Sequence, residues 1–323
     1  MWRSAQREDA VKHNVVMVTG AGGCIAAWVM RQLDKLGARV VGFDLSDNTH
    51  RARLAMSEDA LARVAWETGD IADGERLRSV AETHGVGAII HLAALQVPFC
   101  KADPVAGAKV NVLGTVNVLE TARQLGLKRL AYASSIAIQG MPAGSPYLAT
   151  LYGAHKACGE QMAQVYWQDW QVPSVGIRPG VVYGPARDQG MSAAPTHAML
   201  AAALGTPYEV PYTGPFPFLY VREVAAAFVQ AIAEDRTGAG LFDLNGVAST
   251  IEAVLEMVRQ HRPAAAVSCS GAPFPFPADL PDEALGQAIG DYRRWSLEAG
   301  VAETLEMFNE LAAAGKLGPS NLA

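Results

Sequence analysis

The sequence predicts an α/β fold, a doubly wound parallel sheet followed by a smaller C-terminal α/β cap. Up to Pro185, short and nearly all-apolar strands alternate with segments of helical periodicity, which is typical of a parallel sheet covered by helices on both faces. After Pro185, glycine and proline become denser and the predicted elements become shorter. The expected division is a first domain over residues 1–185, to which part of 215–245 returns, and a cap over 186–323.

Composition limits the classes of partner. The 323 residues are 50% hydrophobic and 18% charged, which is typical of a globular protein, and the net charge of -6 is evidence against a nucleic-acid or anionic-membrane partner. No apolar run is long enough to predict a membrane span, and residues 1–14 lack the apolar core of a secretory signal. The four cysteines are scattered without a Cys-x-x-Cys pair, so we expect reduced thiols in a cytoplasmic protein, with no metal site.

The first strand leads into a glycine-rich turn. Residues 15–18 are apolar, residues 19–23 read Thr-Gly-Ala-Gly-Gly, and a helix with periodic apolar residues follows. Gly20 permits the tight turn, Gly23 lets the backbone approach a pyrophosphate at the helix N-terminus, and Ala26 keeps the helix close to the strand. This arrangement predicts a Rossmann-like dinucleotide site.

The second predicted strand, residues 39–43, ends at Asp44. A carboxylate at this place accepts hydrogen bonds from both adenosine ribose hydroxyls and repels a 2'-phosphate, so the expected cofactor is NAD rather than NADP. The alternative for Asp44 is an ordinary turn residue at a strand end, and the placement of the glycines favours the ribose role.

Further strands and helices continue the alternation. Strands are predicted at 64–66, 88–91, 128–132, 175–177 and 241–244, and helices at 73–84, 103–125, from Tyr152 to Trp170, 195–204, 222–234, 249–261 and from 296 or 298 to 314. The carboxyl ends of the strands carry Asp70, Ala93, Ser135 and Pro179, and ligands of parallel sheets bind beyond these ends. His91 also ends a strand, but no second ligand lies at a metal-like spacing, so we interpret it as a core histidine.

Tyr152 and Lys156 are four residues apart, so a helix places both side chains on one face. An adjacent ammonium is expected to lower the pKa of the phenol and make it a better general base, and the strand end at 132–135 offers a hydroxyl to it. The alternative is a half-buried tyrosine beside a solvated lysine. Asn111, facing inward from the helix 103–125, either satisfies local backbone or orders cofactor or water near Tyr152.

Taken together, these motifs resemble the extended short-chain dehydrogenase/reductase family, also called NAD-dependent epimerase/dehydratases. The matching segments occur in family order over nearly the whole chain: 19–23, 70–71, 91–94, 111–115, 133–135, Tyr152 with Lys156, 178–179 with 183–185, 220–224 and 296–298.

The resemblance implies the role of each site residue. Tyr152 would act as general acid/base, Lys156 would hold the nicotinamide ribose, and Ser135 would hydrogen-bond the reacting oxygen, with Ser134 as the alternative. Asp70 and Ile71 would flank the adenine. The residues expected to bind NAD are Gly20, Gly23, Cys24, Ile25, Asp44, Asp70, Ile71, Leu92, Ala93, Ala94, Asn111, Tyr152, Lys156, Pro179 and Val181.

Departures from the family pattern bear on the substrate. Ser135 is followed by Ile-Ala rather than by the acidic pair of dehydratases, which disfavours dehydration. Gly180 stands where nucleotide-sugar members usually have Asn, and residues 216–219 precede Tyr220 without the usual basic residue. These departures favour a substrate without a nucleotide.

Two polar residues are candidate substrate contacts. Arg187, just after the Gly-Pro turn at 184–185, is suited to clamp a carboxylate, and the alternative is a solvated loop charge. Gln96, just past the fourth strand, is a candidate on the same grounds.

The expected function is NAD-dependent hydride transfer at a secondary alcohol of a sugar or sugar acid, so the expected partner is a sugar-like small molecule. The first alternative is a (nucleotide-)sugar epimerase that retains NAD. The second is a non-catalytic dinucleotide-sensing protein, which would be expected to lose Tyr152 or Lys156.

The resemblance also implies a homodimer formed by the helices that bear Tyr152 and Asn111. The side chains available on the former are Met162, Val165, Tyr166 and Trp167, with core packing as the alternative.

Overall fold

The computed structural model describes residues 14–139, 150–190, 192–275 and 277–322. The strands are β1 Val15–Thr19, β2 Arg39–Asp44, β3 Ala65–Thr68, β4 Ala88–His91, β5 Leu130–Ala133, β6 Ser174–Pro179, β7 Val181–Tyr183, β8 Tyr208–Val210, β9 Pro215–Tyr220, β10 Ala239–Leu244, β11 Val247–Thr250 and β12 Val267–Cys269. The α-helices are α1 Cys24–Lys35, α2 His50–Ala55, α3 Glu58–Ala62, α4 Gly74–His84, α5 Val97–Ala102, α6 Pro104–Ala108, α7 Gly114–Gln124, α8 Leu151–Trp170, α9 Ala194–Leu204, α10 Val221–Ala231, α11 Ile251–His261, α12 Glu283–Ile289 and α13 Leu297–Ala313.

The main sheet is parallel throughout and has the strand order β10-β6-β5-β4-β1-β2-β3. From β1 the chain adds β2 and β3 on one side, then returns to add β4, β5, β6 and β10 on the other. This order confirms the predicted doubly wound parallel sheet. It also creates a topological switch point between β1 and β4, where ligands of such sheets bind.

Successive residues of β1 belong to two separate cores. Val16 and Val18 pack in the larger core with Trp28 of α1, whereas Val15 and Met17 pack in a smaller core on the other side. Because side chains alternate across a strand, both faces of the sheet are covered by helices. This is why the strand reads as a continuous apolar run in the sequence.

The predicted continuous helix over 103–125 is interrupted. The segment consists of α6, a π-helical turn over Lys109–Leu113, and α7. The wider turn frees the carbonyl of Asn111 from a regular helical bond, and the Thr115 hydroxyl donates to that oxygen at 2.7 Å. Periodicity alone did not reveal this turn, because the apolar spacing barely changes across it.

The C-terminal half builds short sheets that the sequence did not predict. In the described part of the chain, β9 lies between β11 and β7, and β8 pairs with β12. A cluster of rings formed by Tyr212, Phe216, Phe218 and Phe274 packs here, with centroid separations of 4.6–5.8 Å. Phe216 and Phe218 are fully buried, so the aromatic segment before Tyr220 is core. The boundary between the two domains stays a prediction, although β10 joins the main sheet.

Two further observations concern the whole of the described chain. None of its helices is both long and apolar enough to cross a membrane. The four cysteines are all unpaired, as their scattered positions predict.

Candidate active site

A cleft of about 580 Å³ opens at the carboxyl ends of the strands. It gathers nearly every residue that the sequence predicts for cofactor, substrate or catalysis: Gly20, Gly23, Cys24, Ile25, Asp44, Asp70, Ile71, Leu92, Ala93, Ala94, Gln96, Ser135, Tyr152, Lys156, Pro179, Val181 and Arg187. The predicted residue that does not line it is Asn111. The strands bring these residues together because parallel strands all end at one edge.

The glycine-rich turn is shaped to admit an anion. Gly20 has φ +70°, and a methyl group there would lie 2.6 Å from the backbone nitrogen of Ala93. Gly23 begins helix α1 without a side-chain cap, and the first turn of that helix has no acidic residue. No side chain caps the N-terminus of helix α1, so the first N–H groups of that helix remain available to a pyrophosphate.

Asp44 is held against the glycine turn at the end of β2. Its Oδ2 accepts from the Gly22 nitrogen at 2.9 Å and its Oδ1 accepts from the Leu45 nitrogen at 2.7 Å. Both contacts keep the carboxylate at the rim of the cleft, where the adenosine ribose of a dinucleotide would bind. The residues of the cleft thus fit NAD.

Arg51 is a cleft residue that the sequence did not suggest. Its Nε donates to Asp188 at 2.8 Å, and its Nη1 donates to the Gly22 carbonyl at 3.1 Å. The ion pair therefore connects helix α2 to the loop after β7 across the cleft. No local pattern predicts it, because the two residues are 137 positions apart in the chain.

Tyr152 and Lys156 lie on helix α8, which begins beside the end of β5. Thr150 caps this helix by accepting from the Gly153 nitrogen at 3.0 Å. A methyl group at Gly153 would lie 2.6 Å from the Ala137 carbonyl oxygen, so glycine allows this close approach. The Lys156 amine donates to the Ala133 carbonyl at 2.7 Å and lies 5.7 Å from the centre of the Tyr152 ring.

Burial controls the protonation of this pair. It raises the pKa of Tyr152 above its ordinary value, while the hydrogen bond with Ser135 and the charge of Arg187 act in the opposite direction. Burial also lowers the pKa of Lys156 to about 8. The expectation that the ammonium would lower the tyrosine pKa is wrong in this structure, because desolvation of the phenolate outweighs the favourable interactions.

The structure distinguishes the two adjacent serines. The Ser134 hydroxyl is buried and donates to Glu160, which also accepts two hydrogen bonds from Arg178 at 2.7 and 2.8 Å. Ser135 instead lies close enough to Tyr152 to lower the pKa of the phenol, and its hydroxyl accepts from the Ala137 nitrogen at 3.1 Å. Of the two alternatives, Ser135 is therefore the hydroxyl beside the phenol.

Asn111 is buried and turned away from the cleft. Its side-chain oxygen accepts from the Leu95 nitrogen at 2.8 Å, and its side-chain nitrogen donates to the Leu95 carbonyl at 2.9 Å and to Cys100 Sγ at 3.3 Å. The Asn111 side-chain amide thus holds the loop after β4 in place. Of the two roles predicted for Asn111, the structure supports hydrogen bonding to nearby backbone. The prediction that Asn111 contacts the cofactor directly is corrected.

Two other predicted residues have clear structural contacts. His91 is buried between the hydroxyls of Thr19, 2.7 Å from Nδ1, and Thr115, 3.3 Å from Nε2, as expected for a core histidine. Asp70 accepts from the Ala72 nitrogen at 2.9 Å and lines the cleft with Ile71.

The comparison with known proteins agrees with this site. A family model described as the NAD-dependent epimerase/dehydratase family matches residues 16–244. The chain belongs to this family. The match confirms the resemblance found in the sequence, and because the epimerase/dehydratase family is NAD-dependent, it also confirms the expected cofactor.

Individual family members are distant relatives. UDP-glucuronate 4-epimerase 6 of Arabidopsis thaliana is 31% identical over 183 residues, which are 53% of this chain and 40% of that protein. The chain spans about half the length of the curated relatives that it matches. A UDP-glucose 4-epimerase of Thermus thermophilus, solved with NAD, has a TM-score of 0.74 at 27% identity and covers 91% of this chain and 98% of its own. The L-threonine dehydrogenase of Clostridium difficile, with a TM-score of 0.78 at 19% identity over 93% of this chain and 98% of its own, shares the fold.

Proposed function

We propose that this protein is an NAD-dependent oxidoreductase that transfers a hydride at a secondary alcohol of a sugar or sugar acid. The observation that carries the proposal is that Tyr152, Lys156 and Ser135 line the same cleft as the glycine turn and Asp44. When bound, the nicotinamide of NAD accepts or returns the hydride. The protein's own residues supply orientation and proton transfer.

Tyr152 is the proposed proton carrier. Its raised pKa keeps the phenol protonated near neutral pH, so it can donate a proton to a substrate oxygen in the reductive direction. In the oxidative direction the phenolate is needed, and the bond to Ser135 and the charge of Arg187 favour it. Ser135 would position the substrate oxygen beside the phenol, and the buried Lys156 amine would hold the ribose next to the reacting carbon.

The substrate is proposed to lack a nucleotide. The segment before Tyr220, where nucleotide-sugar members usually carry a basic residue, consists of buried aromatic core, with Phe216 and Phe218 fully enclosed. A substrate pyrophosphate would need cationic partners, and this segment supplies none.

The alternative is a sugar epimerase that retains NAD through an oxidation and a re-reduction. The similarity to the UDP-glucuronate 4-epimerase of Arabidopsis and the UDP-glucose 4-epimerase of Thermus favours it. Net formation of NADH supports the dehydrogenase, whereas inversion of a carbon centre without net NADH supports the epimerase.

The test is a screen of sugar acids, free sugars and nucleotide sugars with NAD. The absorbance of NADH monitors net oxidation, and the stereochemistry of the products is analysed in the same reactions. Tyr152→Phe should lower kcat/KM by about 10²- to 10⁴-fold without weakening NAD binding. Tyr208→Phe is the matched control, because Tyr208 is only partly buried and its hydroxyl lies 3.4 Å from His197, outside the cleft. Full turnover of Tyr152→Phe would refute the assignment of the proton carrier.

We also propose a cytoplasmic homodimer that pairs through α8, which carries Tyr152, and through the helical segment 103–125, which carries Asn111. On α8, Val165 and Trp170 are 46% and 50% exposed, whereas Met162 and Tyr166 pack against the smaller core. Light scattering of the purified protein would give the mass, and Val165→Lys should shift it towards the monomer.

A further inference from the structure

Arg187 is held in place by the loop that follows β7. Its backbone nitrogen donates to the Gly184 carbonyl at 3.1 Å, and the intervening Ala186 has φ +74°, which is unusual for a residue with a side chain. The guanidinium Nη2 donates to the Ser192 hydroxyl at 3.0 Å. The side chain is therefore fixed at the rim of the cleft and is not a solvated loop charge.

Gln96 approaches Arg187 from the other side of the cleft. Both side chains lie against Gly190, where a methyl group would be 2.7 Å from Gln96 Oε1 and 3.2 Å from Arg187 Nη2. Gly190 has φ +93°, so glycine is favoured there both by conformation and by space. An amide and a guanidinium thus converge on one point.

The charge of Arg187 is not neutralised by the described residues. No carboxylate among them lies within ion-pair distance of its guanidinium, and its Nε is buried without a hydrogen-bond partner in the same ranges. The adjacent Asp188 is paired with Arg51 instead. A partly buried cation without a counter-ion is costly to maintain, and an anionic ligand in the cleft would offset this cost by pairing with the charge of the guanidinium.

The guanidinium of Arg187 is within electrostatic reach of Tyr152. Arg187, Gln96 and Ser192 line the same cleft as Tyr152, and the charge of Arg187 is close enough to stabilise the Tyr152 phenolate. The planar guanidinium group of Arg187 can donate two parallel hydrogen bonds, which match the two oxygens of a carboxylate.

We propose that Arg187, assisted by Gln96 and Ser192, forms a subsite for a carboxylate of the substrate beside Tyr152. This inference rests on the proposed function, because it assigns the substrate class to hydroxy acids rather than neutral sugars. The other source of an anionic oxygen is the pyrophosphate of the cofactor, and the experiment distinguishes the two.

The test measures ligand binding rather than turnover alone. Wild-type protein with NADH is titrated with paired compounds that differ by a carboxylate: glycerate and glycerol, gluconate and glucitol, galacturonate and galactose. Thermal shift and calorimetry should detect at least one acid that binds at least tenfold more tightly than its neutral partner. Arg187→Gln should remove that preference, Arg187→Lys should restore part of it, and the exposed Arg63→Met should leave it unchanged.

Two results would overturn the subsite. One is equal binding of every acid and its neutral partner to the wild type, or an acid preference that survives in both Arg187 variants. The other is a loss of NADH affinity in Arg187→Gln of tenfold or more, which would assign the guanidinium to the pyrophosphate.

NADH formation from NAD is measured in parallel. Acid binding through Arg187 without hydride transfer would refute the proposed function alone, whereas turnover of an acid that Arg187→Gln leaves unaffected would refute the subsite alone.

Discussion

Replacing His91 by glutamine should reduce the decrease in the free energy of unfolding that the protein undergoes in mild acid. His91 ends β4, and both of its ring nitrogens are occupied by threonine hydroxyls, those of Thr19 and Thr115. Burial, helped by the charge of Lys156, lowers the pKa of His91 to about 3. Folding therefore requires a neutral ring at any pH above that value.

The pKa shift fixes the sign and the window. An unfolded histidine has a pKa near 6.5, so between about pH 6.5 and 3 the unfolded chain binds more protons than the folded one. The free energy of unfolding then rises with pH in this window and falls as the solution is acidified. Each pH unit below 6.5 costs about 1.4 kcal/mol, so lowering the pH from 7 to 5 should cost about 2 kcal/mol. This figure depends on the unfolded pKa alone as long as the folded pKa stays well below 5.

Urea unfolding followed by tryptophan fluorescence at pH 7 and pH 5 measures the effect. Wild type should lose about 2 kcal/mol more between the two pH values than His91→Gln does. His261→Gln, an exposed position at the end of α11, should lose as much as the wild type. Equal losses in wild type and His91→Gln would refute the reasoning, because the buried histidine would then contribute nothing to the pH dependence.

Further predictions concern the cleft. Asp44→Ser should raise the ratio of NADP to NAD affinity by roughly tenfold or more, because it removes the charge that repels a 2'-phosphate; an unchanged ratio by fluorescence titration would contradict the ribose role. Ser135→Ala should lower kcat by at least about tenfold, whereas Ser134→Ala should mainly lower the melting temperature, because it leaves the buried Glu160 with one donor fewer. Lys156→Met should abolish turnover yet raise the free energy of unfolding at pH 7 by up to about 3 kcal/mol, since burial lowers the lysine pKa from 10.5 to about 8. At pH 10 the gain should fall to below about 1 kcal/mol, because part of the unfolded-state lysine is then neutral as well.

The sequence was informative where the chemistry is local or repeats with the period of an element. The apolar strands, the glycine turn and Asp44 at the end of β2 are each readable within a short window, and parallel strands must all end at one edge. The spacing of Tyr152 and Lys156 is likewise a property of one helix, which spans Leu151–Trp170. From these features the sheet, the cleft and most of its lining residues could be predicted.

Features that depend on distant contacts were not predictable. The pairing of Arg51 with Asp188 joins α2 to the loop after β7, and the amide of Asn111, in the π-helical turn, binds the backbone of Leu95. The short strands of the cap have too few residues to show a period.

The amino-acid sequence by itself determined the fold class and the phenol–amine pair through periodicity and spacing, and it indicated NAD through Asp44. The family followed from the resemblance of its motifs to those of a known family. Only the tertiary structure decided which serine lies beside Tyr152, that burial raises the pKa of Tyr152, and that no described carboxylate pairs with Arg187. Burial, desolvation and the presence or absence of a partner are properties of the packed chain, since each depends on residues that are brought together only when the sheet and the cap have folded.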